Sequence, residues 1–184
     1  MSLRVPNKAE YEDSISVSAE EIHQRIKELG AQITKDYDDG LLLLCNQKAS
    51  VVFLADLMRE IDLNLDIEFL DLGSIKQEEG ATPLLYLRQS EELILKNRDC
   101  IIITDVVRTG FTLHFLLSIL KAKNPKSIAV CTLLYNPEQQ LLPIELKYKG
   151  FETDYDSLCG YGIAYKGKGR QFKDIVELVY EDDE

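Results

Sequence analysis

Hydrophobic residues along the chain fall into two arrangements: unbroken apolar runs, and single apolar positions spaced three and four apart. Ser18 and Glu21 form an S-x-x-E capping box. Behind it Ile22, Ile26, Leu29 and Ile33 mark one face of a helix reaching about Tyr37. "LLLLCN" from Leu41 reads as a buried strand, "SVVFLADLMREI" from Ser50 as a helix, and "LDIEFLDL" from Leu65 as a strand. "GSIKQEEGATP", Gly73 to Pro83, has no apolar period and reads as a long loop, of the kind that is usually functional or disordered. "CIIITDVVRTGFTL", from Cys100, is a strand and a turn leading into a helix with Leu113, Leu116, Leu117 and Leu120 on one face. Asn124-Pro125 ends that helix, and "SIAVCTLL" from Ser127 is the next buried strand. Strands that alternate with helices predict an α/β fold, a parallel sheet with helices on both faces. The expected organisation is one domain over 1–184, with a core of roughly 18–140 and shorter capping strands over roughly 145–180.

Composition narrows the function. At 184 residues, 45% hydrophobic and 29% charged, the chain suits an ordinary globular domain with a sizeable core. No apolar run approaches the length of a membrane span, and the start of the chain has no apolar leader, so no membrane partner is expected. Cys45, Cys100, Cys131 and Cys159 are scattered, with no C-x-x-C and only His23 and His114 to assist. That speaks against zinc, and for a reducing, cytoplasmic setting. A net charge of −11 would repel nucleic acid. One basic stretch, "YKGKGRQFK" from Tyr165 to Lys173, is either a solvated loop or an anion-binding one.

The turn "RTGFT", Arg108 to Thr112, lies where a strand meets a helix. Ligands of open parallel sheets bind at that end of the strands. Gly110 allows a tight turn, the amides of Thr109 to Thr112 point inward, and the helix start adds partial positive charge. This is either a phosphate cradle or a common strand-to-helix turn. The Walker spacing is absent.

"IIITDVVRTGFTL" resembles the signature of the hypoxanthine-guanine phosphoribosyltransferases: aliphatics, an acidic pair, aliphatics, then Asp-Thr-Gly-(Lys/Arg)-Thr. Further matching blocks, in order, are "SVSAEEIHQRIKELGAQIT", "FLADLMREIDL", "PKSIAVCTLL", "GFE", "GYGIAY" and Arg170. The resemblance implies a type I phosphoribosyltransferase fold with a small hood lobe. It also implies Mg²⁺-dependent transfer of ribose 5-phosphate from phosphoribosyl pyrophosphate to a purine, and a homodimer or homotetramer. Carried over residue by residue, Thr109, Gly110, Phe111 and Thr112 hold the 5-phosphate, with Phe111 in place of the usual Lys or Arg. Gln47-Lys48-Ala49 stands for the pyrophosphate loop Leu-Lys-Gly, and Arg170 for its late arginine. Asp105 is the second member of the acidic pair that holds the ribose hydroxyls.

Other positions depart from the family. Thr104 replaces a Glu, Arg108 the Asp that handles the purine proton, and Asn136 the lysine that reads the purine oxygen. Ala164 replaces an aspartate that helps hold Mg²⁺, so only Asp105 keeps a carboxylate there. Ser74-Ile75 stands where a mobile loop has Ser-Tyr. Ser157 stands where an aromatic residue stacks on the base, with Leu158 beside it in the purine pocket. Asp to Arg at position 108 changes the local charge by two units beside a cationic transition state. At about 5 Å and an effective dielectric of about 20, each unit is worth roughly 3 kcal/mol, which Asp154 or Asp156 could offset. Arginine is also no general base near neutral pH. Two readings stay open: a purine phosphoribosyltransferase with impaired activity, or a non-catalytic relative that binds phosphoribosyl pyrophosphate or a nucleotide, as a sensor or a hetero-oligomer subunit.

Overall fold

Ser18 opens the first helix as its capping box requires. Its Oγ accepts from the Glu21 amide at 3.3 Å, and the Glu21 carboxylate accepts from the Ser18 amide at 2.9 Å. The computed structural model describes residues 2–46, 48–75, 84–88, 92–153 and 157–180, and the side chains of Ile75 and Leu84 lie outside that description. The first strands are β1 (Leu3–Arg4), β2 (Ile15–Val17), β3 (Leu41–Cys45), β4 (Leu65–Phe69), β5 (Leu72–Ile75) and β6 (Leu84–Leu87). They are followed by β7 (Asp99–Val107), β8 (Ser127–Tyr135), β9 (Tyr148–Glu152), β10 (Leu158–Gly160), β11 (Ile175–Glu177) and β12 (Val179–Tyr180). The helices are α1 (Ala19–Asp36), α2 (Val51–Leu57) and α3 (Phe111–Lys121).

Among the described residues the main sheet has five parallel strands in the order β4-β3-β7-β8-β9. The unbroken apolar runs follow from burial on both faces. Alternate residues Leu41, Leu43, Ile101, Ile103, Cys131 and Leu133 pack under α1 and α2. Their neighbours Leu42, Leu44, Cys100, Ile102 and Val130 pack under α3. The expected α/β core is therefore observed, with helices on both faces.

Four details differ from the sequence reading. First, α2 stops at Leu57: Arg59 N–H donates to Asp56 O and Glu60 N–H to Leu57 O, a tightening that turns the chain and buries Ile61. Second, the stretch from Gly73 begins in a strand. β5 pairs antiparallel with β6, and Gly73 lies opposite Tyr86, whose ring occupies the space of a glycine Cβ. Ser74 and Ile75, expected in a mobile loop, are in β5; residues 76–83 of the expected loop lie outside the described set. Third, β9, expected among the capping strands, extends the parallel sheet. Fourth, the small lobe is completed by the N-terminus. β2 pairs with β11, and β1 with β12. Asp174 ties this lobe to α1 by accepting from Tyr11 Oη and from the Ala19 amide, each at 2.6 Å.

Candidate functional site

The carboxyl ends of β3 and β7 open on a cavity of about 280 Å³ lined by Asn46, Thr104, Asp105, Arg108, Thr109, Gly110, Thr112 and Ile163, among others. The turn that closes β7 is fixed by its backbone. Thr109 O accepts from the amides of Leu141 and Leu142, both at 3.1 Å. Gly110 is the N-cap of α3, in the left-handed region at φ 84°. A Cβ there would meet Leu142 O at 2.9 Å and the Ile144 side chain at 3.1 Å, so both conformation and space require glycine. Gly110 O receives the His114 amide at 2.8 Å, the first bond of α3. The first-turn amides before it have no helical partner, the condition under which a helix start can receive an anion. Phe111 is exposed, which leaves its amide as the contribution to this turn.

Asp105 sits at the inner wall and is 8% exposed. Ser50 Oγ donates to its Oδ1 at 3.3 Å, and Thr104 Oγ1 approaches it at 3.5 Å. Burial pushes the Asp105 carboxyl above its usual range, while the Asp105 and Val106 amides and the two hydroxyls pull it back in part. The pyrophosphate candidates Lys48, Ala49 and Arg170 are not among the residues that line this cavity, although Ser50, in the same turn as Lys48, reaches Asp105. Gln47 is outside the described residues; Lys48 and Ala49 open the 3-10 turn Lys48–Ser50, with Lys48 exposed and Ala49 buried. Arg170 lines a neighbouring cavity of about 410 Å³ with His23, Val52, Asp56 and Tyr161. Its Nη1 donates to Gly162 O at 2.6 Å, and its own carbonyl accepts from the Gly162 amide at 3.0 Å. A Cβ at Gly162 would lie 2.4 Å from Ala49 O. Through that glycine, residues 49 and 170 belong to one assembly.

The base-side candidates are more scattered. Arg108 lines the cavity and is exposed. Asn136 is 5% exposed, and its Oδ1 accepts from the amides of Glu138 at 3.0 Å and Gln139 at 3.2 Å, a local cap at the end of β8. Ser157 O accepts from the Leu178 amide, and the Leu158 side chain packs in the core rather than in a pocket. Ala164 is half-buried beside Ile163, which lines the cavity. Asp154 and Asp156 lie outside the described residues. Two contributors were missed by sequence reasoning: Ser50, which holds Asp105, and Asn46. The available signal for Asn46 was a lone amide directly behind "LLLLC".

The donor set does not fit a protein-built Mg²⁺ site. Among the described residues no three carboxylate, His or Cys groups converge, and the single carboxylate present, Asp105, already accepts from Ser50. Mg²⁺ sites of this kind use one or two carboxylates plus substrate phosphates, so a metal here would depend on the ligand's own oxygens.

Comparison with known proteins agrees with this fold. Residues 18–166 match the family model "Phosphoribosyl transferase domain". The hypoxanthine phosphoribosyltransferase of Haemophilus influenzae is 33% identical over 174 residues, covering 91% of this chain and 96% of that protein. The hypoxanthine-guanine phosphoribosyltransferase of Mycobacterium tuberculosis is 34% identical over 172 residues, covering 90% and 85%. The crystal structure of a Staphylococcus aureus hypoxanthine phosphoribosyltransferase superposes with a TM-score of 0.85 at 31% identity, covering 95% of this chain and 97% of that one. The chain belongs to the phosphoribosyltransferase family.

Proposed function

We propose that this protein is a purine-salvage phosphoribosyltransferase, acting on phosphoribosyl pyrophosphate with hypoxanthine or guanine, and that its chemical step is slow. The observation that carries the reading is the joining of two features in one cavity. Gly110, the left-handed N-cap of α3, lines it together with Thr109 and Thr112, and Asp105 stands on its inner wall. The turn from Thr109 to Thr112 suits the 5-phosphate, and Asp105 suits the ribose hydroxyls. Lys48 offers charge to the departing pyrophosphate, and Arg170 braces the turn that carries it through Gly162.

The slow step follows from the base side. Proton removal by a positioned base is worth about 10²–10⁴-fold, and Arg108 is not such a base. Asn136, engaged with the Glu138 and Gln139 amides, carries no charge for the purine oxygen. The same observations favour a second reading, a binder of phosphoribosyl pyrophosphate or nucleotide without turnover. One assay separates them: nucleotide formation from phosphoribosyl pyrophosphate and Mg²⁺ with hypoxanthine, guanine and xanthine, at high protein concentration. Detectable product well below about one per second, the low end of the usual enzyme range, supports the slow enzyme. Saturable binding of a nucleotide with no product supports the binder. Neither product nor binding removes both.

A further inference from the structure

The segment that follows β8 returns to the turn after β7 as a strap. Tyr135 lies opposite Val107 in the sheet, and the Asn136 amide donates to Val107 O at 2.9 Å, so strap and turn leave from neighbouring strand ends. The strap arrives at Thr109, whose carbonyl accepts from the Leu141 and Leu142 amides. It also closes the space beside Gly110, where Leu142 O and the Ile144 side chain stand 2.9 and 3.1 Å from the position of a Cβ. Residues 137–144 belong to no helix or strand, so side chains help to fix their course. Asn136 is buried, and its Oδ1 accepts from the Glu138 amide at 3.0 Å and the Gln139 amide at 3.2 Å, an Asx turn that sets the direction in which the strap departs. Gln140 braces the far end: its Nε2 donates to Ile144 O at 3.2 Å.

We propose that Asn136 is a positioning residue for the phosphate turn, acting through the strap on Thr109 and Gly110 rather than on a base. The proposal rests on the reading of that turn as the phosphate site. The acceptor of Asn136 is already committed: a side-chain carbonyl has two lone pairs, and two amides of the strap occupy them. Asn136 is also not among the residues that line the cavity. A lysine, which the family resemblance implies at this position, has no acceptor and could not make this turn. The donors of the phosphate turn are main-chain amides, so their aim depends on what holds the backbone at Thr109 and Gly110. Binding groups need support that fixes them to within about 0.5 Å, and the Leu141 and Leu142 amides supply it at Thr109 O. The residue that departs from the family on the base side thus holds the phosphate side.

The test compares the full wild-type chain with Asn136→Ala, Asn136→Asp and Gln140→Ala. Amide hydrogen exchange reads the clamp, and titration with inorganic phosphate, followed by NMR at the Gly110 amide, reads the turn. In Asn136→Ala the Leu141 and Leu142 amides are expected to exchange about fivefold faster, and phosphate affinity to fall about fivefold, the worth of one neutral hydrogen bond. The amides of β7 and β8 keep their protection, which separates a displaced strap from a weakened fold. Asn136→Asp retains the acceptor and is expected to keep the clamp protected; its added charge acts on phosphate directly, so it is read by exchange alone. Gln140→Ala removes the brace to Ile144 O, is expected to give smaller losses of the same kind, and decides the matter should Asn136→Ala fail to fold. Unchanged phosphate affinity in Asn136→Ala, or equal loss of protection in Asn136→Asp and Asn136→Ala, overturns the inference and leaves the phosphate reading standing. A wild-type Gly110 amide that does not respond to phosphate overturns the reading of the turn, and the inference with it.

Discussion

The two sets of site candidates are built from different materials. The candidate phosphate turn is backbone: a left-handed Gly110, the amides that open α3, and a Thr109 carbonyl clamped by the Leu141 and Leu142 amides. The base-side candidates are side chains: Arg108 lines the cavity, while Asn136, Ser157 and Ala164 are not among its lining, and each stands at a position where the family resemblance implies a different residue. Backbone donors survive replacement of the side chains that carry them, as exposed Phe111 illustrates. Side-chain donors do not. Binding of the phosphoribosyl end and chemistry at the base can therefore part company within one fold.

The largest effect is expected where the backbone set is broken. Gly110→Ala must hold a Cβ at φ 84° and place it 2.9 Å from Leu142 O. Strain of this kind costs about 1–3 kcal/mol, and relieving it moves the amides. Urea unfolding should show a loss of about 2 kcal/mol, and titration with GMP should show no binding that inorganic phosphate can compete. Unchanged nucleotide affinity in a destabilised Gly110→Ala would mean that the amides of this turn do not hold the phosphate.

A smaller effect is expected at the joint between the candidate pyrophosphate turn, Lys48–Ser50, and the lobe. Tyr161 Oη donates to Asp56 Oδ2 at 2.5 Å, just before the Gly162 that touches both Ala49 and Arg170. Tyr161→Phe should cost about 1–2 kcal/mol in unfolding, as loss of a hydrogen bond to a charged acceptor does. Affinity for phosphoribosyl pyrophosphate should fall more than affinity for GMP, which lacks the pyrophosphate. Equal losses for the two ligands would detach Gly162 from pyrophosphate binding.

Asp105 supplies a pH dependence beside the candidate phosphate turn. Burial raises its carboxyl above the ordinary value of 3.8, so the folded chain holds that proton more firmly than the unfolded chain does. The associated stability is present below the unfolded value and is lost as pH rises through the folded one. Asp105→Asn keeps a neutral group at every pH and can still accept from Ser50. Its thermal midpoint should exceed that of the wild type at neutral pH, with the gap closing as the solution is acidified toward the unfolded value. A gap that widens on acidification would mean that the native carboxyl is depressed instead.

The same contrast governs what the sequence reveals. β3 and β7 were legible because burial on both faces removes polar residues from the run, and Gly110 was legible because a glycine between a strand and a helix has few uses. β5 was not, since its pairing with β6 depends on Tyr86 covering Gly73, a contact with no local period. β9 was hidden for a related reason: its Gly150 lets the strand approach Leu133 O, where a Cβ would lie at 2.0 Å, and glycine reads locally as a breaker. The tie from Arg170 to residue 49 passes through the backbone of Gly162, and Asn46 is one polar residue at a strand end. Contacts made across the chain by single backbone groups leave little trace in composition or spacing.

The smallest change is expected from the substitution that looks most corrective. Arg108→Asp restores a carboxylate at the cavity that Asp105, Thr109 and Gly110 line. On charge alone it should help, since one unfavourable unit is removed and one favourable unit is added beside a centre that becomes cationic. Groups that act as a unit are not additive, however, and restoring one member to an incomplete set returns little. Asn136 remains a local cap for Glu138 and Gln139, Ala164 offers no carboxylate, and Thr104 remains a hydroxyl. The new carboxylate would meet a purine whose oxygen Asn136, engaged as a cap, does not fix, so the reacting nitrogen is less well kept in line with the sugar. Turnover with hypoxanthine or guanine should rise less than about tenfold, far short of the roughly 10²–10⁴ that a base supplies in a complete site. A gain of about a hundredfold or more, the range of a working base, would show that the base side is impaired by this one charge, and that the remaining substitutions are compatible with a working purine pocket.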